Sequence, residues 1–291
     1  MRLDSAQLNA FATVIDEGSF ERAAAVLHVT RSAVSQRVKL LEERVGQVLV
    51  RRATPCTPTE AGQALYRHAR EVALSETDAL ATIGGGQHTS TRLAIGVNAD
   101  SLATWFPHAM AQAAEGQSIT FDIHVEDQDH SANLLREGRV MAAVTADPQP
   151  VQGCKVLPLG TLRYRALASP AFVQRHFAQG VNAAALAQAP MLVFNRKDAL
   201  QARFVGRITR RKLTPPVHWL PEAHAFVMAT RAGLGWGMTP DPMVQHDLEA
   251  GTLVELIPGK PVDVPLYWQS WRLNVQALHH MTEAVQRAAG L

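Results

Sequence analysis

The 291 residues carry 28 Lys and Arg against 26 Asp and Glu, a net charge of +2, and 47% of them are hydrophobic. That length suffices for two or three domains with buried cores, and the near-balanced charge argues neither for nor against nucleic acid, so any basic signal must be local. The start "MRLDSAQLNA" lacks the apolar stretch of a signal peptide and no run approaches the ~20 apolar residues of a membrane span, while Cys56 and Cys154 form neither a CxxC pair nor a disulfide framework; a cytoplasmic location is expected.

Leu3, Leu8, Phe11, Val14 and Ile15 recur at mostly helical spacing and predict a first helix that Gly18 stops. Ser19 is a good N-cap for a short second helix, "FERAAAVLHV". Thr30 caps a third, "RSAVSQRVKLLEERV", which ends at Gly46. In it Val34, Val38, Leu41 and Val45 form one inward stripe, which leaves Ser32, Ser35, Gln36 and Lys39 on the outer side. "QVLVRRATPCTPTEAG" then reads as a β-wing, because its prolines and its paired Arg51 and Arg52 suit no helix.

Thr59 caps a long helix to about Ile83. Leu65, Ala69, Val72, Glu76, Ala79 and Ile83 fall on a heptad seam, which predicts a partner helix. "GGGQHTST" (84–91) is a flexible hinge. Beyond it strand and helix patterns alternate: "RLAIGVN", "LATWFPHAMAQAA", "ITFDIHVED", "ANLLREG" and "MAAVTAD" predict a parallel sheet covered by helices. A second such unit starts near 162, and "PLYWQSW" with a terminal helix closes the chain.

Two short helices joined by a tight turn, the second outwardly polar and basic, form a helix-turn-helix pattern. Gln36 can pair bidentately with adenine and Arg31 or Arg37 with guanine, while Ser32 and Ser35 let the backbone approach the duplex. Arg51 and Arg52 suit phosphate or the minor groove. The expected DNA-binding set is Phe20, Arg22, Thr30, Arg31, Ser32, Ser35, Gln36, Arg37, Lys39, Arg51 and Arg52.

The run "GSFERAAAVLHVTRSAVSQRVKLLEERVGQVLVRRATPCTPTEAG" resembles the N-terminal domain of LysR-type transcriptional regulators, and the resemblance extends over essentially the whole chain. "SAVSQRVKLLE", "VRRATPCTPTEAG", "VNADSLATWF", "VEDQDH", "LREGRVMAAVTA", "EAHAFV" and "LYWQSW" are similar to the LysG/ArgP branch, which senses lysine and arginine to control their export. The resemblance implies an α/β protein: a winged helix-turn-helix (1–58), a dimerisation helix (59–83), a hinge (84–91) and a two-lobed, periplasmic-binding-protein-like effector domain. Lobe I would be 92–161 with 265–291, and lobe II 162–264. The implied partners are a double-stranded DNA operator, a small amino-acid effector, further copies of the chain as dimer or tetramer, and RNA polymerase.

Strand ends locate the expected effector site. Asn98, Asp100 and Ser101 follow the first strand of lobe I, Glu126 and Asp127 the second, and Thr145 the third, while Glu222 and His224 begin a helix of lobe II. A cationic side chain needs a desolvated carboxylate, and these positions offer several. The branch is expected to read "SEAFV" where this chain has "AHAFV", so a neutral, histidine-like or aromatic effector stands as the alternative to lysine or arginine.

"GLGWG" precedes its strand and lacks the Lys-Ser/Thr of a phosphate loop, and His279–His280 lacks metal-site spacing. No metal, cofactor or catalytic constellation is predicted, and the protein is not expected to be an enzyme. The competing readings are a sequence-tolerant architectural DNA binder and a solute-binding or enzymatic α/β protein with an accessory helical domain.

Overall fold

A computed structural model of the chain describes residues 2–83, 90–127 and 130–290. Most of the glycine-rich stretch expected to be the hinge (84–89) lies outside the described residues. The chain opens with three helices, α1 (Ser5–Glu17), α2 (Phe20–Val26) and α3 (Arg31–Val45). Their ends sit where short polar side chains satisfy free backbone N–H groups. Ser19 accepts from Glu21 and Arg22 N, Thr30 accepts from Ala33 N, and left-handed Gly18 and Gly46 close α1 and α3. Caps of this kind are worth about 1 kcal/mol each. Phe11, Val14, Val34, Val38 and Leu41 are fully buried and lock the three helices together.

The wing is a two-stranded ribbon, β1 (Val50–Arg51) against β2 (Thr57–Pro58). The Glu42 carboxylate holds its base by accepting from Leu49 N at 2.8 Å. Next comes α4 (Glu60–Thr82), capped by Thr59, whose hydroxyl accepts from Gly62 N at 3.0 Å. Gly62 lies so close to the wing that a Cβ there would stand 2.1 Å from the Leu49 carbonyl oxygen.

The face of α4 that its own chain buries is carried by Tyr66, Ala69 and Leu74, and only Ala69 of these belongs to the predicted seam. Leu65 packs at the edge of the N-terminal core, while Glu76, Leu80 and Ile83 are exposed. The helix is also seated on lobe I. Arg67 Nη1 donates to the Gln152 carbonyl at 2.6 Å, and its guanidinium carbon lies 5.4 Å from the centre of the Trp271 ring. The Asp78 carboxylate accepts from Gln276 N at 2.9 Å.

Lobe I begins with β3 (Thr91–Val97), α5 (Ala99–Ala103), α6 (Phe106–Ala114), β4 (Ile119–Val125), α7 (Ser131–Arg136) and β5 (Ala142–Thr145). β3 lies between β4 and β5 and is parallel to both. The single helix predicted over "LATWFPHAMAQAA" is two. The chain breaks at Thr104, whose hydroxyl turns back to the Asp100 carbonyl at 2.7 Å, and Pro107 restarts the helix where no N–H is needed.

The chain then forms β6 (Cys154–Ala168), α8 (Pro170–His176), α9 (Ala183–Gln188), β7 (Met191–Val193), α10 (Leu200–Gly206), β8 (Val217–Trp219), α11 (Ala223–Arg231), β9 (Gly237–Pro240), α12 (Asp241–Ala250), β10 (Val254–Glu255), β11 (Val262–Trp271) and α13 (Gln276–Ala289). α9 and α12 are short helices anchored by buried Leu186 and Val244. β6 and β11 are long antiparallel neighbours that cross from one lobe to the other. Their ends at Cys154 and Trp271 continue the lobe I sheet through β5, while Tyr164–Leu167 pairs with β9 in lobe II. β6 is continuous through positions 161 and 162, and the register shifts in β11 between Leu266 and Tyr267. Trp236, Trp268, Trp271, Phe106 and Phe204 fill the cores, and α13 packs its Met281, Ala284 and Val285 inward beside α6.

Candidate functional site

The first site is the outer face of α3 with the wing. Gln36 and Arg51 are exposed and Arg37 half-buried, and no side-chain hydrogen bond or ion pair holds any of the three among the described residues. Arg31 pairs with Glu21 at 2.8 Å, Lys39 with Glu43 at 3.6 Å and Arg52 with Glu42 at 3.9 Å. These are surface pairs worth at most about 1 kcal/mol, so a phosphate can take over each cation. Ser32 shares a hydrogen bond with Thr30 at 2.9 Å, and Ser35 is half-buried.

Three members of the expected set also make contacts that build the domain itself, Phe20 from the core and the exposed Thr30 and Arg22 from its surface. Phe20 is buried in the helical core and carries the Arg52 guanidinium over its ring at 5.1 Å. Thr30 is the cap of α3. Arg22 donates to the Glu17 carbonyl and so fastens the end of α1.

The second site is a cavity of about 110 Å³ between the lobes. Asn98, Asp100, Val125, Glu126 and Asp127 line it from lobe I, at the C-terminal ends of β3 and β4. Phe194, Asn195, Asp198, Ala223, Phe226, Met238 and Thr239 line it from lobe II. Strand C-termini leave such a crevice because the following helices turn away from the sheet edge.

Four carboxylates therefore line the cavity, Asp100, Glu126 and Asp127 from lobe I and Asp198 from lobe II, and Asp100, Asp198 and Glu126 are each held differently. Asp100 accepts from the Tyr164 hydroxyl at 2.7 Å. Burial pushes its pKa up to about 6 against that hydrogen bond, and the charges of Asp198 and Asp127 add to the rise. Burial and the Asp100 charge together push the Tyr164 phenol up, so it stays a donor. Asp198 is spent on its own loop, accepting from Phe194 N at 3.1 Å and Leu200 N at 2.9 Å. Glu126 accepts from Lys197 Nζ at 2.8 Å and from Asp127 N at 2.9 Å. Partial burial raises its pKa, but those two bonds bring it below the ordinary carboxylate value.

Both polar atoms of the Asn98 amide and the Thr239 hydroxyl are buried without a hydrogen-bond partner among the described residues. A buried polar group left so costs about 1–3 kcal/mol. Three such atoms, two on the lobe I side of the cavity and one on the lobe II side, suit a polar ligand between them.

The remaining expected residues stand elsewhere. Ser101 and Thr145 are buried but do not line the cavity, and the Thr145 hydroxyl accepts from Asp147 N at 3.0 Å. Glu222 is exposed and caps α11 by accepting from His224 N and Ala225 N. His224 is exposed beside it, so of the two positions where "AHAFV" departs only Ala223 meets the cavity. Sequence reasoning missed Tyr164, Asp198, Lys197 and Thr239. "NRKD" follows the strand "MLVF" just as "NADS" follows β3, so the strand-end rule could have found two of them.

A winged helix-turn-helix carried by a long helix on two α/β lobes, with a polar cavity between the lobes, defines a ligand-responsive DNA-binding regulator. Residues 5–63 match the family model of the bacterial regulatory helix-turn-helix protein, lysR family, and residues 86–290 match the LysR substrate binding domain. The chain belongs to the LysR family of bacterial transcriptional regulators. It is 49% identical to the transcriptional regulator LysG of Mycobacterium tuberculosis over 289 residues, 99% of this chain and 94% of that one. It is 41% identical to the lysine export transcriptional regulatory protein LysG of Corynebacterium glutamicum, covering 97% of each. The crystal structure of ArgP from M. tuberculosis superposes with a TM-score of 0.89 at 49% identity, covering 99% of this chain and 98% of that one. Full-length C. glutamicum LysG with bound effector Arg superposes with a TM-score of 0.81 at 40% identity, with the same coverage. These relatives are regulators rather than enzymes.

Proposed function

We propose that the cavity takes a basic amino acid, arginine or lysine, and that its binding sets how paired winged helices engage an operator. The observation that carries this reading is the cavity lining, with four carboxylates beside an Asn98 amide and a Thr239 hydroxyl that lack hydrogen-bond partners among the described residues. Asp100 and Asp127 would take the cationic side chain. Asn98 offers a donor and an acceptor, which suits the α-carboxylate and α-ammonium. Val125, Phe226 and Met238 would cover the methylenes. The bound arginine of the C. glutamicum relative supports the ligand class, and that relative's name supports amino-acid export or metabolism genes as targets.

Ligand in the cleft would pull the lobes together about β6 and β11. Because α4 is fastened to lobe I through Arg67 and Asp78, a change in the lobes would be passed to the helix that carries the DNA-binding face. Exposed Leu80 and Ile83 on α4, beside a groove lined by Leu8, Ala12 and Ala73, favour a second copy along that helix. A symmetric pair reads two half-sites. The setting would be the cytoplasm, with RNA polymerase as the downstream partner; no helix among the described residues is long and apolar enough to cross a membrane.

A thermal-shift screen of the twenty amino acids tests the reading. A ligand at 100 times its Kd adds about 2.7 kcal/mol. Arginine and lysine should raise the melting temperature and glutamate should not. A shift with neutral or acidic amino acids alone would contradict the basic effector.

A further inference from the structure

Lys197 stands at the mouth of the cleft, on the loop between β7 and α10. That loop is rigidly built. The Asn195 carboxamide oxygen accepts from Lys197 N at 2.7 Å and Asp198 N at 3.1 Å, and the Asp198 carboxylate spans Phe194 N and Leu200 N. Phe194, Asn195 and Asp198 of the same loop form cavity wall, so Lys197 must move with lobe II. Its ammonium reaches Glu126 of lobe I at 2.8 Å, while half of its side chain stays exposed. The Glu126 oxygen that takes this ammonium also accepts from Asp127 N, which fixes the carboxylate at the rim.

We propose that Lys197 and Glu126 form a latch that closes the cleft over its ligand. In this role Glu126 is not a ligand to the effector. It is neutralised by the protein's own ammonium, and the pair joins lobe I to lobe II across the mouth. Lys197 is a positioning residue: it holds the 194–200 loop against lobe I and keeps the wall residues of the two lobes facing each other. Its second effect is on selectivity. With Glu126 matched by Lys197 and Asp198 taken up by its loop, Asp100, whose partner is the uncharged Tyr164 hydroxyl, still offers its negative charge to one cationic group, which suits an effector with a single charged side chain. The latch rests on the proposed effector site for its purpose but not for its existence, and the two can be tested apart.

The test uses the full chain with arginine as probe, in Glu126→Gln, Lys197→Met and the double variant. Glutamine keeps the acceptor for Asp127 N and removes only the charge. A partly exposed ion pair is worth up to about fivefold in an equilibrium constant, so each single change should raise the arginine Kd about two- to fivefold. The double variant should be no weaker than either single one, because both changes open the same contact. Lys197→Arg should bind as wild type does. Hydrogen–deuterium exchange without amino acid gives a second reading: both single variants should exchange faster over residues 194–200. Tighter or unchanged arginine binding by Lys197→Met, single effects that multiply in the double variant, or unaltered exchange would each overturn the latch. If wild type binds neither arginine nor lysine while exchange still quickens in the variants, the latch stands and the effector assignment fails.

Discussion

The Tyr164 hydroxyl donates to Asp100 Oδ2 at 2.7 Å, joining β6, which runs between the lobes, to the first turn after β3. One bond thus connects the crossing strand with the carboxylate expected to meet a cation. It lowers the Asp100 pKa less than burial raises it, and the carboxyl ionises at about 6.

A pH dependence of effector binding follows. The folded pKa of Asp100 lies above the ordinary 3.8, so below about pH 6 the site holds a proton that a cation must expel. Arginine affinity should be flat above about pH 7 and fall towards tenfold per unit below about 6. Asp100→Asn should bind weakly with no such slope, and Tyr164→Phe should move the midpoint upward. Calorimetric titrations between pH 5 and 8 check this. The same raised pKa contributes fold stability below about pH 4 that is lost as pH rises through about 6.

Gln36 on the outer face of α3 has no intramolecular polar partner among the described residues. Gln36→Ala should cost about 1–3 kcal/mol at the preferred sequence and relax base choice at one position. Competition binding against single-base variants of that sequence measures it, and an equal loss on every sequence would leave Gln36 with no part in base reading.

Arg51 on the wing is exposed and likewise unpaired. Arg51→Ala should weaken binding about evenly across sequences and lower the slope of log K against log salt by about 1. A salt titration of wild type and variant, at one preferred and one unrelated sequence, gives both slopes.

Gly153 has φ +77, and a Cβ there would lie 2.5 Å from Arg67 Nη2. Gly153→Ala should destabilise the protein by about 1–2 kcal/mol for the left-handed backbone alone, and by more where Arg67 is displaced. Adding Arg67→Ala should recover part of the loss, a non-additivity that thermal melts of the single and double variants would show.

The DNA-binding half was legible because its signals are local. Ser19, Thr30, Gly46 and Thr59 each act within a few residues of themselves, and the stripe Val34, Val38, Leu41 falls directly out of helical period. The local signals of the cleft were strand ends, "NADS" and "VEDQD" on lobe I and "NRKD" on lobe II. Asn98, Asp100, Glu126 and Asp127 follow strands that the alternation located, and all four line the cavity. Tyr164 and Lys197 meet Asp100 and Glu126 across 64 and 71 residues of chain, because β6 and β11 cross between the lobes. No local pattern encodes that crossing. Phe20 shows why side chains near a basic helix are hard to assign from sequence, since an aromatic there can serve DNA or the core, and its ring is buried in the core beneath Arg52.

The central claim is that a basic amino acid held at Asp100 changes how the protein sits on DNA. The direct measurement is the footprint on a sequence selected by the protein from a random pool, with and without arginine, for wild type and Asp100→Ala. The account predicts that arginine alters the length or spacing of the wild-type footprint, and that Asp100→Ala binds the same sequence with near-normal affinity but no longer responds. A wild-type footprint indifferent to arginine and lysine, or an undiminished response in Asp100→Ala, would contradict it.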